Sequence, residues 1–215
     1  MKLNETVIKE VESISFLGVI IQENLKWNEH ISLKSNKISK VNAILSRLKN
    51  VLPENILLNI YNALIVPHLT YGITAWGNAT KSLFSRLIVL QKKSLRIISN
   101  SKYNSHTNPL FQKYNLVKVH DLYSINCTKI YYLKKISDMP EYHSNQLPSV
   151  SIINPYLSRH SNNIYISIIM KNIEKGSINY KVGKEWNKLP NYLKDSTFIN
   201  CKTFIKSMKK YFVNT

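Results

Sequence analysis

Residues 64–77 read LIVPHLTYGITAWG, and residues 87–98 read LIVLQKKSLRII. The first is an apolar run interrupted by Pro67 and followed by Tyr71, Gly72, Trp76 and Gly77. Turn formers interleaved with aromatic rings predict an irregular, buried connection. The second sets Leu87, Ile88, Leu90, Leu95, Ile97 and Ile98 among Lys92, Lys93 and Arg96. With Thr80 as its N-cap, this stretch predicts a helix reaching Ile98. Its polar stripe, Ser85, Lys92 and Arg96, is narrow, as expected for a helix central to a bundle.

Upstream, Pro53 at a first helical position and Glu54 in the first turn open a helix carrying Ile56, Leu57, Ile60 and Leu64, which Pro67 ends. Before it, Ile31, Ile38, Val41, Leu45 and Leu48 form a helical stripe, with Asn36, Lys40 and Arg47 opposite. The alternation of Val7, Lys9, Val11, Ser13 and Ser15, followed by FLGVII, reads as two short strands. A hairpin of that size needs further partners, so the chain is expected to begin on an orphaned sheet edge.

Downstream, residues 99–107 are a polar loop, Pro109 starts a short helix through Tyr114, and Asp121 caps a helix with Leu122, Ile125, Tyr132, Leu133 and Ile136 inward. Residues 137–161, with Pro140, Pro148 and Pro155 among Ser and Asn, read as a linker or long loop. The tail offers a β-like stretch at 164–170, a short helix around Trp186, a break at Leu189-Pro190, and a last helix from about Asn200. In that helix Phe204, Met208 and Tyr211 share one side. The expected fold is mainly α: a short N-terminal β-hairpin over 1–28, a helical bundle over 29–136, the linker, and a small mixed tail lobe over 162–215.

The 30 Lys plus Arg against 12 Asp plus Glu leave a formal charge of +18 on 215 residues. Such a surplus attracts polyanions and makes the attraction salt-dependent; a lysine-rich, AT-biased genome produces the same composition. Cys127 and Cys201 are far apart with no zinc-type spacing, which fits a reducing, intracellular compartment. No apolar run approaches the roughly 20 residues of a membrane span, and the amino terminus has no export signal. The aspartates, Asp121, Asp138 and Asp195, are scattered. Glu10 and Glu12 share a strand face but do not by themselves make a metal site. The histidines lack paired spacing, and His106 is read as a loop side chain bonding local backbone. No catalytic and no metal-binding residue is assigned.

FLGVIIQENLKWNEHI at 16–31, the two stretches above, YNSHTNPLF at 103–111 and GKEWNKLPNYLKDS at 183–196 together resemble the region beyond the active site in reverse transcriptases of non-LTR (LINE-type, jockey-like) retrotransposons. The resemblance implies that the hairpin with Phe16, Leu17 and Gly18 is similar to the primer grip, which holds the growing 3′ end. Gly18 would then permit close approach of another backbone, a strand bulge being the alternative. It implies that the bundle is a thumb whose Lys37, Lys40, Arg47, Lys92, Lys93 and Arg96 track phosphates of duplex or RNA/DNA hybrid, each of these having a merely solvated face as its other reading. Polymerases of this family use a Tyr-x-Asp-Asp turn and a further Asp to hold divalent ions. This chain has no Asp-Asp pair. The expectation is therefore a non-catalytic C-terminal fragment of an RNA-directed DNA polymerase, working in the nucleus, with no cofactor of its own. A divalent metal such as Mg²⁺ is expected only in the missing palm, and the missing fingers and palm are partners. A decayed element copy would look like this. No role is carried over for the tail. Trp76, Trp186 and Tyr71 either stack on bases or pack in a core, and their apolar and turn neighbours favour the core. The alternative function is a basic helical protein-interaction module without a nucleic-acid role, which would want an exposed apolar patch instead of a concave basic face.

Overall fold

A computed structural model describes residues 2–3, 6–7, 10–136, 147–153, 161–166, 177–195, 198 and 200–214. In chain order the elements are β1 (Lys2–Leu3), β2 (Thr6–Val7), β3 (Ser13–Phe16), β4 (Val19–Gln22), α1 (Asn28–Leu48), α2 (Glu54–Leu64), α3 (Val66–Thr70), α4 (Ile73–Trp76), α5 (Lys81–Ile98), α6 (Asn108–Lys113), α7 (Val119–Lys135), α8 (Val150–Ile153), α9 (Ile178–Asn187), α10 (Asn191–Asp195) and α11 (Cys201–Asn214). The fold is mainly α. Two compact units are present: Met1–Gly72 with Ala79–Tyr103, and Ile73–Asn78 with Asn104–Thr215. Helices grouped over 29–136 by sequence fall to both units, and most of 137–161 lies outside the described residues. Of the β-like stretch, Ile164 bridges antiparallel to Ser149, and residues 167–170 are outside the described set.

In the first unit β3 and β4 form an antiparallel hairpin with Ser13 opposite Gln22 and Phe16 opposite Val19. Leu17 and Gly18 make its two-residue turn with φ of 46° and 74°. Two positive φ values match the twist of the flanking strands. A Cβ on Gly18 would sit an ordinary 3.6 Å from Tyr71 Cε1, so within the described chain it is the positive φ of the turn, and not a strand bulge, that calls for glycine. Glu10 and Glu12, exposed, precede β3 and share no strand face.

Leu17 is 73% exposed, so its unfavourable conformation is not offset by burial. An L-residue in the left-handed region loses about 1–2 kcal/mol. Gly18→Ala should therefore speed amide exchange of Ile20 by about 5- to 30-fold. Leu17→Asn, which tolerates this conformation, should slow it. Unchanged exchange in both variants would show that the turn carries no strain.

The hairpin docks on α1 through polar bonds. Ile20 N–H donates to His30 Nδ1 at 3.1 Å, and Glu29 N–H donates to Gln22 Oε1 at 3.2 Å. Trp27, in the left-handed region at the N-cap, makes no side-chain cap, so Gln22 supplies an acceptor that the first turn needs. On α1 the expected Ile31, Ile38, Val41 and Leu45 are buried. On α2, Leu57 and Tyr61 are buried, whereas Ile56 and Leu64 are exposed. Pro67 does not only end α2. It lies in the first turn of α3, where its missing N–H costs nothing, so residues 64–77 hold short helices in place of an irregular connection.

Helix α5, expected to be apolar on most sides with a narrow polar stripe, is more mixed. Its buried face includes Gln91 and Ser94, while Val89 is exposed. The buried polar groups are bonded. Gln91 Nε2 donates to Tyr61 OH at 3.0 Å, Asn42 Nδ2 to Leu90 O at 3.1 Å, and Ser94 Oγ lies 2.7 Å from Asn42 Oδ1. Satisfied networks of this kind specify a register, because any slip leaves desolvated groups without partners. Asn42 meeting Leu90 and Ser94, and Lys49 meeting Asn100, show α1 and α5 running in the same direction.

In the second unit α7 packs on α4, α9 and α11. Its N-cap is Lys118 and not Asp121, which lies in the first turn, half-buried, where its carboxyl favours the helix start. Burial pushes the Asp121 pKa up. Gly77 is packed so closely that a Cβ would lie 2.2 Å from Tyr123 Cδ2, and a Cβ on Gly183 would touch Ile166 Cγ1 at 3.0 Å. Asn187 holds both backbone groups of Ile164, at 2.8 and 2.9 Å. The GKEWN motif is thereby a packing device: glycine for close approach, tryptophan for the core, asparagine for the strand-like segment. Among the described residues no helix is long and apolar enough to cross a membrane.

Candidate nucleic-acid interface

Lys37, Lys40 and Arg47 lie exposed on α1, spaced three and seven residues apart, on the face opposite Ile38 and Leu45. Leu33 and Ile44 share that exposed stripe. On α5, Lys93 is exposed while Lys92 and Arg96 are half-buried. The helix ends bring part of this set together. Lys49, Lys93, Arg96, Ile97, Ser101 and Tyr103 line an open concavity of about 160 Å³. The Arg96 guanidinium lies 6.0 Å from the Tyr103 ring centroid, and Lys49 Nζ donates to Asn100 Oδ1 at 3.2 Å. Tyr103 is 87% exposed.

Of the residues expected to meet nucleic acid, Lys93 and Arg96 therefore join one cavity. Lys37, Lys40, Arg47 and Lys92 do not line it. Lys49 and Tyr103 were not foreseen. Lys49 falls one residue past α1 and reads in sequence as a helix-end cation, and only the SKYNSH interleaving of basic and aromatic residues at 101–106 hints at Tyr103.

A second basic cluster lies beneath the hairpin. Lys34 is only 5% exposed, with its ammonium 5.4 Å from the Tyr71 ring centroid, and it forms no ion pair with a described residue. Burial and then the Lys37 charge depress its pKa. Burial, with Lys34 and Lys37 adding repulsion, holds His30 down at about 4 and also lowers His68. Both imidazoles are neutral at pH 7. Tyr71 OH donates to Leu17 O at 2.7 Å, tying the exposed hairpin tip with Phe16, Leu17 and Gly18 to the segment after α3. Tyr71, expected in the core, is instead 53% exposed, with its hydroxyl bonded to the hairpin and its ring beside the Lys34 ammonium.

Acid–base constellations of other kinds are not assembled among the described residues. Ser124 Oγ donates to Glu185 Oε2 at 2.7 Å and to no imidazole, and Glu185 pairs with Lys188 at 2.5 Å. His120 Nε2 reaches Asp121 Oδ1 at 3.1 Å. No three His, Cys, Asp or Glu side chains among the described residues could hold a metal ion. Cys127 and Cys201 are free, and burial lifts the Cys127 thiol to about 12, out of reach of nucleophilic work at neutral pH. His106 is exposed, makes no local backbone bond and belongs to no cluster among the described residues. The side chains of Asp138 and Asp195 are outside the described set.

No protein-family profile matches the chain, and no solved structure matches it. Curated proteins do. The chain is 23% identical over 158 residues to the RNA-directed DNA polymerase from mobile element jockey of Drosophila melanogaster, which covers 72% of this chain and 17% of that protein. It is 28% identical over 123 residues to the jockey polymerase of Drosophila funebris, covering 55% and 13%. The probable RNA-directed DNA polymerase from transposon X-element of Drosophila melanogaster is 24% identical over 152 residues, covering 68% and 16%. The matched segments thus span less than a fifth of these relatives. By sequence, the chain is similar to one short part of the RNA-directed DNA polymerases of jockey-like, non-LTR retrotransposons.

Proposed function

We propose that this chain is the primer-grip, thumb and tail part of a non-LTR element's RNA-directed DNA polymerase, and that it holds the template–primer hybrid without polymerising chemistry of its own. The observation that carries this reading is the concavity where Lys49, Lys93 and Arg96 converge beside an exposed tyrosine, since a merely solvated charge has no reason to converge. Cations at such a rim neutralise phosphates and release counterions, and they read backbone geometry without reading sequence. The strained, exposed Leu17 at the hairpin tip adds support, because conformational cost without packing gain is a mark of functional surface. Lys37, Lys40 and Arg47 would extend the cationic track along α1. Metal-dependent extension, with its Mg²⁺, belongs to the fingers and palm, and the work would take place in the nucleus, where the element inserts.

A labelled RNA/DNA hybrid titrated between about 50 and 200 mM salt tests this reading. Log affinity should fall linearly with log salt. The triple variant Lys49→Gln, Lys93→Gln, Arg96→Gln should bind more weakly and lower the slope by about 0.9 for each phosphate that is no longer neutralised. Salt-indifferent affinity, or an unaltered slope in the triple variant, would overturn it. The exposed Leu33 and Ile44 favour a second reading, a protein-docking face. On that reading the hybrid does not bind and the charge only keeps the chain in solution.

A further inference from the structure

Resting on the nucleic-acid reading above, we infer that the Lys49–Lys93–Arg96–Tyr103 concavity is a seat for one unpaired nucleotide, whose base stacks on Tyr103 while its phosphate meets the three cations. A continuous duplex presents phosphates and groove edges but hides its base faces, so a cavity built only for duplex has no use for a free aromatic face. Tyr103 offers such a face. It is 87% exposed, the most exposed of the large apolar side chains among the described residues, and it is one of the residues that line the cavity.

The geometry says on which side the base lies. Sandwiching a base between guanidinium and ring needs two van der Waals separations, about 7 Å in all. Arg96 stands 6.0 Å from the ring centroid, too near for a base between them, so the base would lie on the other face of this 87% exposed ring. From there the ring is polarised by the cation behind it, and the guanidinium remains near the phosphate. A cavity of about 160 Å³ suits a phosphate and its sugar edge, smaller than the 300 Å³ or so at which whole-ligand pockets begin. Among the described residues no carboxylate lines it. Base stacking is tolerant of sequence, so the seat would accept any unpaired nucleotide, DNA or RNA, such as one at a strand end or ahead of a junction.

The test compares the full chain with Tyr103→Ala and Tyr103→Phe at one salt concentration on four probes: a blunt RNA/DNA hybrid, the same hybrid carrying a short single-stranded extension, oligo(dT) and oligo(U). The extended hybrid should bind the native chain more tightly than the blunt one. Tyr103→Ala should lose about 5- to 150-fold on the extended and single-stranded probes, the span of one base stacked on one ring, and distinctly less on the blunt hybrid. Tyr103→Phe should bind as the native chain does. Since Tyr103 is exposed, neither substitution threatens the fold. Equal losses on blunt and extended probes, or no loss on either, would overturn the stacking seat while leaving hybrid gripping intact. Failure of the native chain to bind any probe would overturn both. Oligo(dT) and oligo(U) together show whether the sugar matters.

Discussion

Trp186→Ala should lower the unfolding free energy of the C-terminal unit by about 3–5 kcal/mol, the usual consequence of emptying a buried aromatic site. Trp186 is fully enclosed. Its ring centroid lies 4.6 Å from Tyr131 and 6.2 Å from Phe204, which itself stacks on Tyr132 at 4.3 Å. Its Nε1–H donates to Asn162 O at 2.9 Å, so truncation also removes that hydrogen bond. Trp186→Phe, which removes the donor and part of the ring volume, should cost less than the alanine variant, about 1–3 kcal/mol. Urea unfolding, followed by the near-ultraviolet signal of the aromatic cluster, measures both. A Trp186→Ala protein of native stability that had lost hybrid affinity would reverse the assignment and make Trp186 a base-stacking residue.

Acid should weaken the first unit through His30. Its folded pKa of about 4 lies below the unfolded value of 6.5, so the native imidazole is neutral where the unfolded one is already protonated. Stability is then full above pH 6.5 and falls as pH drops from 6.5 towards 4, because in that window the unfolded chain binds the extra proton. The shift corresponds to about 3 kcal/mol across the window. The local consequence is specific: a protonated Nδ1 cannot accept from Ile20 N–H, and the hairpin loses that tie to α1. His68, lowered by burial and the same lysines, acts in the same direction. The substitution His30→Asn keeps an acceptor near the position of Nδ1 and removes the titration. Stability against pH should be flatter for that variant than for the native chain between 6.5 and 4. Parallel curves would show that His30 is not the group responsible.

Composition and periodicity determined a good deal by themselves. The apolar stripes of α1 and α11, and Leu122, Ile125 and Tyr132 of α7, were readable because a helix buries every third or fourth residue, whatever its partner, whereas Ile136, expected inward, lies just past α7 and is 41% exposed. The FLG turn was visible because two short β-runs with glycine between them have few other ways to connect. The family resemblance lay in ordered motifs such as AWG and WNKLP. Their meaning was not in the sequence. Only the packing of Tyr123 on Gly77 and of Ile166 on Gly183 shows these glycines as points of close approach.

Tertiary structure alone decided what depends on atoms far apart in the chain. Pro67 looks like a stop in one dimension and sits in the opening turn of α3. Gln91 and Ser94 break the apolar pattern of α5, yet both are buried, because Tyr61 and Asn42 supply their hydrogen-bond partners. Lys49 and Tyr103 belong to different segments and are ordinary surface residues until α1 and α5, running the same way, bring their C-terminal ends to one cavity. Local periodicity is set by backbone geometry and survives without a partner. Convergence of charge, burial of a polar group and the depressed pKa of His30 are sums over neighbours, and those neighbours exist only once the chain has folded.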